Sequence, residues 1–552
     1  MATPARQISV TVPAVDTSRL KQAILNWRFP FGISLLGAIA FLPSLRAGFV
    51  SDSFGCLEIA QWSYLEDILW RLNPCGTGFY RPLTSLVFWL EYQLFGLNPL
   101  GYHLVALALH IGSSLIIYRL AQRLTASRWA GAAAALVFVT NIHAHEVIGW
   151  VADLHNALGG FVLLAAVYTY LRGARRASFA LVALNMLVDE TGLLTLLLIG
   201  WHEVLQHLFP TPASQGEAAR VGAKRRASGL LVDAMMGARG FARTARSHGD
   251  SSVSPDAAPY LLSVVRDSLP AISRRLAARL TPVVALATGY VALRLISAPN
   301  GVYNYVAACH SASCIAVGAL EYFNRLFVRP EPLLSLAWDY RPILAVLTGL
   351  CLMLAAWMLR LSSWRNRKAV VFAAGWIAGS ALYFILALWP YIADRFLYAS
   401  DMGLALLAGI AAAEVAGRWT AMPRAGRLQA AAVGVAALVW LGTGVVMLYE
   451  RGLRWETAGR EAEAIIASIV ELLPDPPQDA VLIFSDVPDS SAPDIAPGNT
   501  GPYLFRNGLD AALHIRYERT DILIITDASQ VPVDDSVMHF LLTIRDGKAE
   551  LQ

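Results

Sequence analysis

Asp52 stands two residues beyond the end of an apolar run, in Gly48-Phe49-Val50-Ser51-Asp52-Ser53. A carboxylate at the edge of hydrocarbon can take a proton from a hydroxyl brought to something anchored in lipid. Further ionisable side chains recur near the ends of other apolar runs: Arg81, Glu91 and His103, then His143, His145 and Glu146, Asp153 and His155, the pair Asp189-Glu190, and Asp394-Arg395. A charge at mid-bilayer costs about 2.5–3.5 kcal/mol even on the lenient insertion scale. Singly, each of these groups is accounted for as an interface residue wetted by water. Gathered on one face, carboxylates, imidazoles and two arginines describe a site for an anionic, lipid-attached substrate, since the guanidinium fork matches phosphate.

Whether they share a face depends on the elements that carry them. The 552 residues are 56% hydrophobic and 15% charged, with a mean hydropathy of +0.50. A soluble domain carries nearer a quarter of charged residues, so the composition excludes one and predicts a polytopic α-helical membrane protein. Apolar windows able to cross about 30 Å of hydrocarbon lie at 30–50, 101–122, 129–142, 155–171, 177–188, 189–207, 281–297, 342–359, 369–389, 402–417 and 428–448, eleven spans in all. Asp189 and Glu190 interrupt one apolar run, and reading it as a single helix would bury both acids.

Charge arbitrates. The net +4 is uninformative alone, but the 44 Lys and Arg are unevenly placed. With residues 1–29 cytoplasmic, the eleven-span reading puts Arg119, Arg123 and Arg128; Arg172, Arg175 and Arg176; the Arg-rich stretch 210–280; Arg360, Arg365, Arg367 and Lys368; and Arg418, Arg424 and Arg427 on one side. That sidedness is the positive-inside pattern. The opposite loops are nearly bare of Lys and Arg, with none between Asn141 and Asn156. All the candidate site residues then fall on the outer face.

The soluble segments are read as follows. Residues 51–100 form a first outer loop with two interfacial amphipathic helices, Ile59–Leu72 and Leu83–Phe95. Residues 210–280 are a basic cytoplasmic insertion. Residues 449–552 form a small outer α/β domain, with a helix over Glu456–Leu473, strands at 480–485 and 521–526, and a helix over Tyr503–Tyr517 between them. Cys56, Cys75, Cys309 and Cys314 all fall in outer loops, which fits two local disulfides on an oxidising face, or else four unpaired small residues. No Gly-rich phosphate fingerprint follows either strand, so a nucleotide role has no support.

Four landmarks carry a family resemblance. Phe79-Tyr80-Arg81-Pro82-Leu83-Thr84-Ser85 leading into Leu94-Phe95-Gly96-Leu97-Asn98-Pro99 and His103; His143-Ala144-His145-Glu146-Val147 with Trp150; Asp189-Glu190-Thr191; and Ala393-Asp394-Arg395-Phe396-Leu397-Tyr398 resemble, in order, the GT-C membrane glycosyltransferases related to protein O-mannosyltransferases. The nearest branch is the transmembrane and tetratricopeptide-repeat one, without the repeats. The resemblance covers about residues 30–420, and Tyr503-Leu504-Phe505-Arg506-Asn507-Gly508 is similar to a segment of bacterial relatives. It implies a GT-C fold and transfer of a sugar from a polyprenyl-phosphate donor to an acceptor hydroxyl, with Asp52 matching the first-loop catalytic acid and Glu146 the second-loop acid. Arg81 and Arg395 match positions expected at the donor phosphate; His103, His143, His145, Asp153, Asp189, Glu190 and Asp394 are further site candidates. Two departures stand out: Asp52-Ser53 where the family often has paired acids, and Asp189-Glu190 where it has Lys-Glu, which removes a phosphate contact.

The chemistry is coherent without the family. A sugar leaving as polyprenyl phosphate departs as a stable anion, so no second carboxylate need protonate it, unlike the alcohol lost in glycoside hydrolysis. One base suffices, Glu146 is expected to hold its pKa up by like-charge repulsion, and inversion follows. No cofactor is expected; a divalent metal is not required, although Asp52, Glu146 and nearby histidines have suitable donor atoms. The partners are the lipid-linked donor, a protein, lipid or glycan acceptor and the bilayer, with no nucleic acid. Arg outnumbers Lys forty to four, which points to a GC-rich bacterial genome and so to an inner membrane with its site facing the periplasm. A catalytically degenerate membrane scaffold and a lipid-linked-sugar flippase stay open as other classes, the latter expecting its acids near mid-membrane between repeated halves.

Overall fold

A computed structural model describes residues 17–66, 81–208, 364–387, 393–491, 501–526 and 538–552, with isolated positions between 281 and 326. Among these residues the helices, numbered in chain order, are α1 (Thr17–Ala40), α2 (Asp52–Trp62), α3 (Pro82–Phe95), α4 (Pro99–Thr125), α5 (Arg128–Val139), α6 (Ala144–Gly149), α7 (Leu154–Leu171), α8 (Arg175–Val188), α9 (Gly192–Leu208), α10 (Trp364–Ala387), α11 (Tyr398–Arg418) and α12 (Arg424–Leu472). Beyond them lie β1 (Val481–Ser485), α13 (Leu509–Tyr517), β2 (Leu523–Ile525), β3 (His539–Arg545) and β4 (Lys548–Leu551). The expected span at 342–359, the whole insertion 210–280, and Cys75, Cys309 and Cys314 lie outside the described residues. Cys56 is disulfide-bonded.

Local chemistry sets the boundaries. Pro99 opens α4 with its missing N–H at no cost, Asn98 caps it by accepting from Leu100 N at 3.2 Å, and Ala126 ends it in the left-handed region. Ser127 caps α5 in turn. The apolar run at 177–207 breaks into two helices at the acids: Asp189 is extended, its carboxylate accepts from Thr191 N at 3.1 Å, and α9 restarts at Gly192. A Cβ on Gly192 would meet Met186 backbone at about 2.8 Å, so this return needs glycine.

Four stretches are long and apolar enough to cross a bilayer among the described residues: Pro99–Thr125, Val151–Leu171, Asp394–Arg418 and Arg424–Leu472; Arg28–Ala40, Arg128–Val139 and Gly192–Gln206 are apolar but shorter. Helices α4, α5, α7, α10 and α11 share one buried cluster that includes Phe138, Leu163, Trp376 and Met402. This is an integral membrane chain of mostly helical architecture.

Three expectations need correction. The first span does not run from 30 to 50: α1 closes at Ala40, Ser44–Arg46 make a tight turn and residues 47–50 are extended, so Asp52 begins a separate helix. Pro43 cannot donate a helical hydrogen bond, and Gly48 is in close contact with Gly459, whose missing Cβ would lie 2.3 Å from Gly48 N. The helix expected at 456–473 is not separate, because α12 runs 49 residues without a break, about 73 Å at 1.5 Å per residue. Residues 503–508 are not helical; α13 starts only at Leu509, after Gly508 at φ 92°.

The tail carries two strands that the sequence reading omitted. The sheet order is β2-β1-β3-β4, with β1 parallel to both β2 and β3 and β4 antiparallel to β3. It sits on the C-terminal half of α12, where Ser468 Oγ accepts from Ala549 N at 2.9 Å. A second buried cluster joins Val50, Phe54, Leu57, Tyr102 and Trp150 from the bundle to Trp455, Leu482, Phe484, Tyr503, Leu504 and Leu542. Among the described residues the tail thus shares one core with this end of the bundle.

Candidate active site

Asp52 is the first residue of α2, behind Ser51 at φ 50°. This strained turn is held from the tail: Ser51 N donates to Leu504 O at 2.6 Å, and Asn507 Nδ2 donates to Asp52 Oδ1 at 2.8 Å. A Cβ on Gly508 would come 2.6 Å from Ser51 O, so the loop can lie this close only with glycine at that position. Burial raises the Asp52 carboxyl above its ordinary range, offset in part by the Asn507 hydrogen bond and the charges of Arg395 and Arg506. Burial, not repulsion from Glu146, is thus what holds this acid up, and the sequence expectation is corrected on that point.

Glu146, on α6, is fully buried with both oxygens engaged. Its Oε2 accepts from Arg395 backbone N and Nη1, each at 3.1 Å, and its Oε1 accepts from Gly501 N at 2.8 Å. Arg395 is 8% exposed. It also donates to Tyr503 Oη at 3.3 Å, lies 3.8 Å from Asp153 Oδ1, and has its guanidinium carbon over the rings of Trp150 and Phe396 at 4.9 and 4.8 Å. Removing one partner of such a buried pair typically costs about 3–5 kcal/mol, because the other charge is left uncompensated.

Arg81 precedes α3 and donates to Glu190 Oε2 from Nη2 at 2.9 Å and from Nε at 3.3 Å. Thr84 anchors the same helix start on Val188 O at 2.8 Å, so the Tyr-Arg-Pro landmark and the Asp189-Glu190 break are brought together. Burial works against the Arg81 charge, but Glu190 and Asp189 outweigh it and hold the guanidinium protonated. Asp153 feels the charges of both Arg395 and Arg81. Its Oδ1 accepts from Asn156 at 2.7 Å, whereas Oδ2 is buried without a hydrogen-bond partner among the described residues.

The remaining candidates support these groups from behind. Asp394 Oδ2 accepts from Arg451 at 2.6 Å and from His145 Nε2 at 3.2 Å. Trp455 Nε1, which can only donate, meets His145 Nδ1 at 3.1 Å and so assigns the proton of the neutral imidazole to Nε2. His143 pairs with Asp401 at 3.0 Å and approaches Arg325 O at 3.1 Å. His103 sits between Ile148 O and Ala47 O at 2.7 and 3.1 Å, tying α4 to the segments beside Asp52 and Glu146. Among the described residues no three His, Cys, Asp or Glu side chains are grouped as a metal site.

With this geometry in place, comparison with known proteins gives the following. No family model matches the chain. It is 32% identical over 196 residues to protein O-mannosyl-transferase Tmtc1 of Drosophila melanogaster, which is 32% of this chain and 22% of that protein. It is 31% identical over 219 residues to Tmtc2 of the same fly, covering 34% and 23%, and 36% identical over 162 residues to TMTC3 of Mus musculus, covering 27% and 17%. Over these stretches the chain is similar to protein O-mannosyl-transferases. It covers less than a quarter of the length of these O-mannosyl-transferase relatives. Among solved structures, ArnT from Cupriavidus metallidurans bound to undecaprenyl phosphate aligns over 96% of this chain and 97% of its own, with a TM-score of 0.44 and 15% identity.

Several site residues escaped the sequence reading. Arg451 and Trp455 lie on α12 at ordinary helical spacing beyond an apolar span, with nothing local to mark them. Asp401 is seven residues past Asp394 on what reads as plain span. Asn507 and Arg506 were visible only as part of the tail segment similar to bacterial relatives.

Proposed function

We propose that this chain is a membrane glycosyltransferase that moves a sugar from a polyprenyl-phosphate donor to an acceptor hydroxyl, on the face opposite the Arg-rich loops. The observation that carries the reading is Asp52: a half-buried carboxylate raised by burial, bound on one oxygen by Asn507, and within the field of Arg395 and Arg506. Similarity to the O-mannosyl-transferases supports the reaction class.

In this mechanism Asp52 Oδ2 accepts the acceptor's hydroxyl proton as that oxygen forms its bond to the anomeric carbon. The bond from that carbon to the phosphate oxygen breaks, its electron pair leaves with the polyprenyl phosphate, and the configuration inverts. Arg395, clamped by Glu146 and Tyr503, supplies fixed positive charge for the developing phosphate, and Arg81 with Glu190 and Asp189 closes the other part of the donor pocket. Glu146 acts through Arg395 and the 501–508 loop. The tail residues 449–552 complete the active face, which in a bacterium is the periplasmic side of the inner membrane.

The test is Asp52→Asn, which keeps shape and removes the base. Mass spectrometry of glycans and glycoproteins should find a product in cells carrying the parent gene, and transfer by the variant should fall about 10²–10⁴-fold, the usual contribution of a positioned base. Near-parental transfer by Asp52→Asn would overturn the mechanism in favour of a scaffold or a transporter.

A further inference from the structure

Arg395 carries charge assigned to the donor phosphate, and more than Glu146 and Tyr503 fixes where that charge lies. The residues that precede the two members of the Arg395–Glu146 pair, Asp394 and His145, are bonded to each other at 3.2 Å. Both are also bonded to α12. Arg451 Nη1 donates to Asp394 Oδ2 at 2.6 Å, and one helical turn further along Trp455 Nε1 donates to His145 Nδ1 at 3.1 Å. Residues at this spacing share a face of a helix. One face of α12 therefore supplies both ends of a chain of three hydrogen bonds that runs beside the Arg395–Glu146 pair.

Arg451, Asp394, His145 and Trp455 are all buried, so water does not stand in for a lost partner. Arg451 is the cation bonded to Asp394, since His145 is the neutral tautomer. It thereby anchors the tight turn Asp394–Leu397, whose Arg395 N–H donates to Glu146 at 3.1 Å. Trp455 touches the rest of the clamp as well. Its ring centre is 6.2 Å from that of Tyr503, whose hydroxyl accepts from Arg395 at 3.3 Å. A Cβ on Gly149, at the end of the helix that bears Glu146, or on Gly501, whose N–H bonds Glu146, would overlap the indole. We infer that Arg451 and Trp455 are positioning residues for the donor phosphate, acting through Asp394 and His145 on the Arg395 guanidinium. This rests on the donor reading above and adds to it the part of the framework that aims the charge.

The experiment is a calorimetric titration of the purified full-length chain in detergent with a sugar-free polyprenyl monophosphate, taken through a double-mutant cycle. The parent should bind, and Arg451→Met and Trp455→Phe should each weaken binding by about tenfold, within the usual range of coupling between neighbouring side chains. Arg451→Lys should fall between, since an ammonium keeps the charge but loses the fork. Arg395→Lys keeps a cation against Glu146 and should itself bind more weakly than the parent. In that background Arg451→Met and Trp455→Phe should cause little further loss, because no guanidinium is left to aim. Where Arg451→Met alone does not fold, Arg451→Met with Asp394→Asn leaves no buried charge without its partner, and it should show the same weakening. Parental affinity in the Arg451 and Trp455 variants, or in Arg395→Lys, overturns the assignment and leaves the donor reading standing. Equal loss in the parent and Arg395→Lys backgrounds overturns it in favour of general destabilisation. Failure of the parent itself to bind removes the donor reading and this inference together.

Discussion

At the scale of single residues, the acids near Asp52 divide by what occupies their oxygens. Asp52 has one oxygen held by Asn507 and is the acid placed at the entrance of α2, whereas Glu146 has three N–H donors spread over both oxygens. A glutamine there presents an amide NH2 either to Gly501 N–H or to Arg395, donor against donor, and leaves a buried guanidinium without its counter-charge. Glu146→Gln is therefore expected to destabilise the folded chain by about 3–5 kcal/mol, and thermal denaturation of the purified protein measures it. An unchanged melting temperature would mean that the clamp on Arg395 is not formed in solution. The same change strengthens the uncompensated field of Arg395 at Asp52, which lowers the carboxyl pKa and moves the acid limb of any activity profile downward.

Elements meet through one titratable contact as well as through apolar packing. His514 on α13 points Nδ1 at Glu58 Oε1, 2.6 Å away on α2, and Nε2 at Ile522 O, 2.9 Å away. Both partners can only accept, so both ring nitrogens must donate and the ring is an imidazolium. Burial opposes that charge, but the hydrogen bonds to Glu58 and Ile522 and the charges of Glu58 and Asp510 outweigh it and raise the pKa above 6.5. A raised folded pKa means that this contact's stabilisation is fully present below the unfolded value and is lost as pH rises through the folded one. Docking of α13 on the helix that begins with Asp52 should accordingly weaken on the alkaline side by about 1–2 kcal/mol. Thermal midpoints measured from about pH 6 to about pH 9 should fall more steeply for the parent than for His514→Gln; parallel curves would show that the pair contributes nothing.

For the whole molecule, sidedness is the property on which every functional statement depends. The basic stretch around Gly216 and the tail around Ser490 are assigned to opposite faces by the distribution of Lys and Arg alone. Single cysteines placed at these two positions, in a background without other reactive thiols, should be labelled by an impermeant reagent from opposite sides. Labelling of both from one side would move the site to the wrong face for a donor displayed outside. Bundle and tail also share a core: Trp455, Leu482 and Leu504 pack with Val50 and Trp150, beside the segments that carry Asp52 and Asp153.

What the sequence determined by itself is what local composition and spacing can encode. Apolar run length and charge asymmetry specify a membrane chain, and Asp189-Glu190 interrupts a run too polar to stay one helix. The ionisable residues at the ends of apolar runs could be picked out one by one, because each violates the cost of placing charge near hydrocarbon. Their partners could not. Asn507 reaches Asp52 across 455 residues, Gly501 reaches Glu146 across 355 and Trp455 reaches His145 across 310, and no periodicity registers contacts at such separations. The segment 503–508 looked helical from its apolar spacing, yet the Ser51 turn and the buried Glu146 and Arg395 offered its backbone and side chains better partners than a helix would. Tertiary structure alone therefore decided which donors hold Asp52 and Glu146, that Arg395 and Arg81 pair with buried acids, and that the tail packs beside Asp52 and Glu146, since those outcomes depend on burial and on donors and acceptors that only folding brings within hydrogen-bond range.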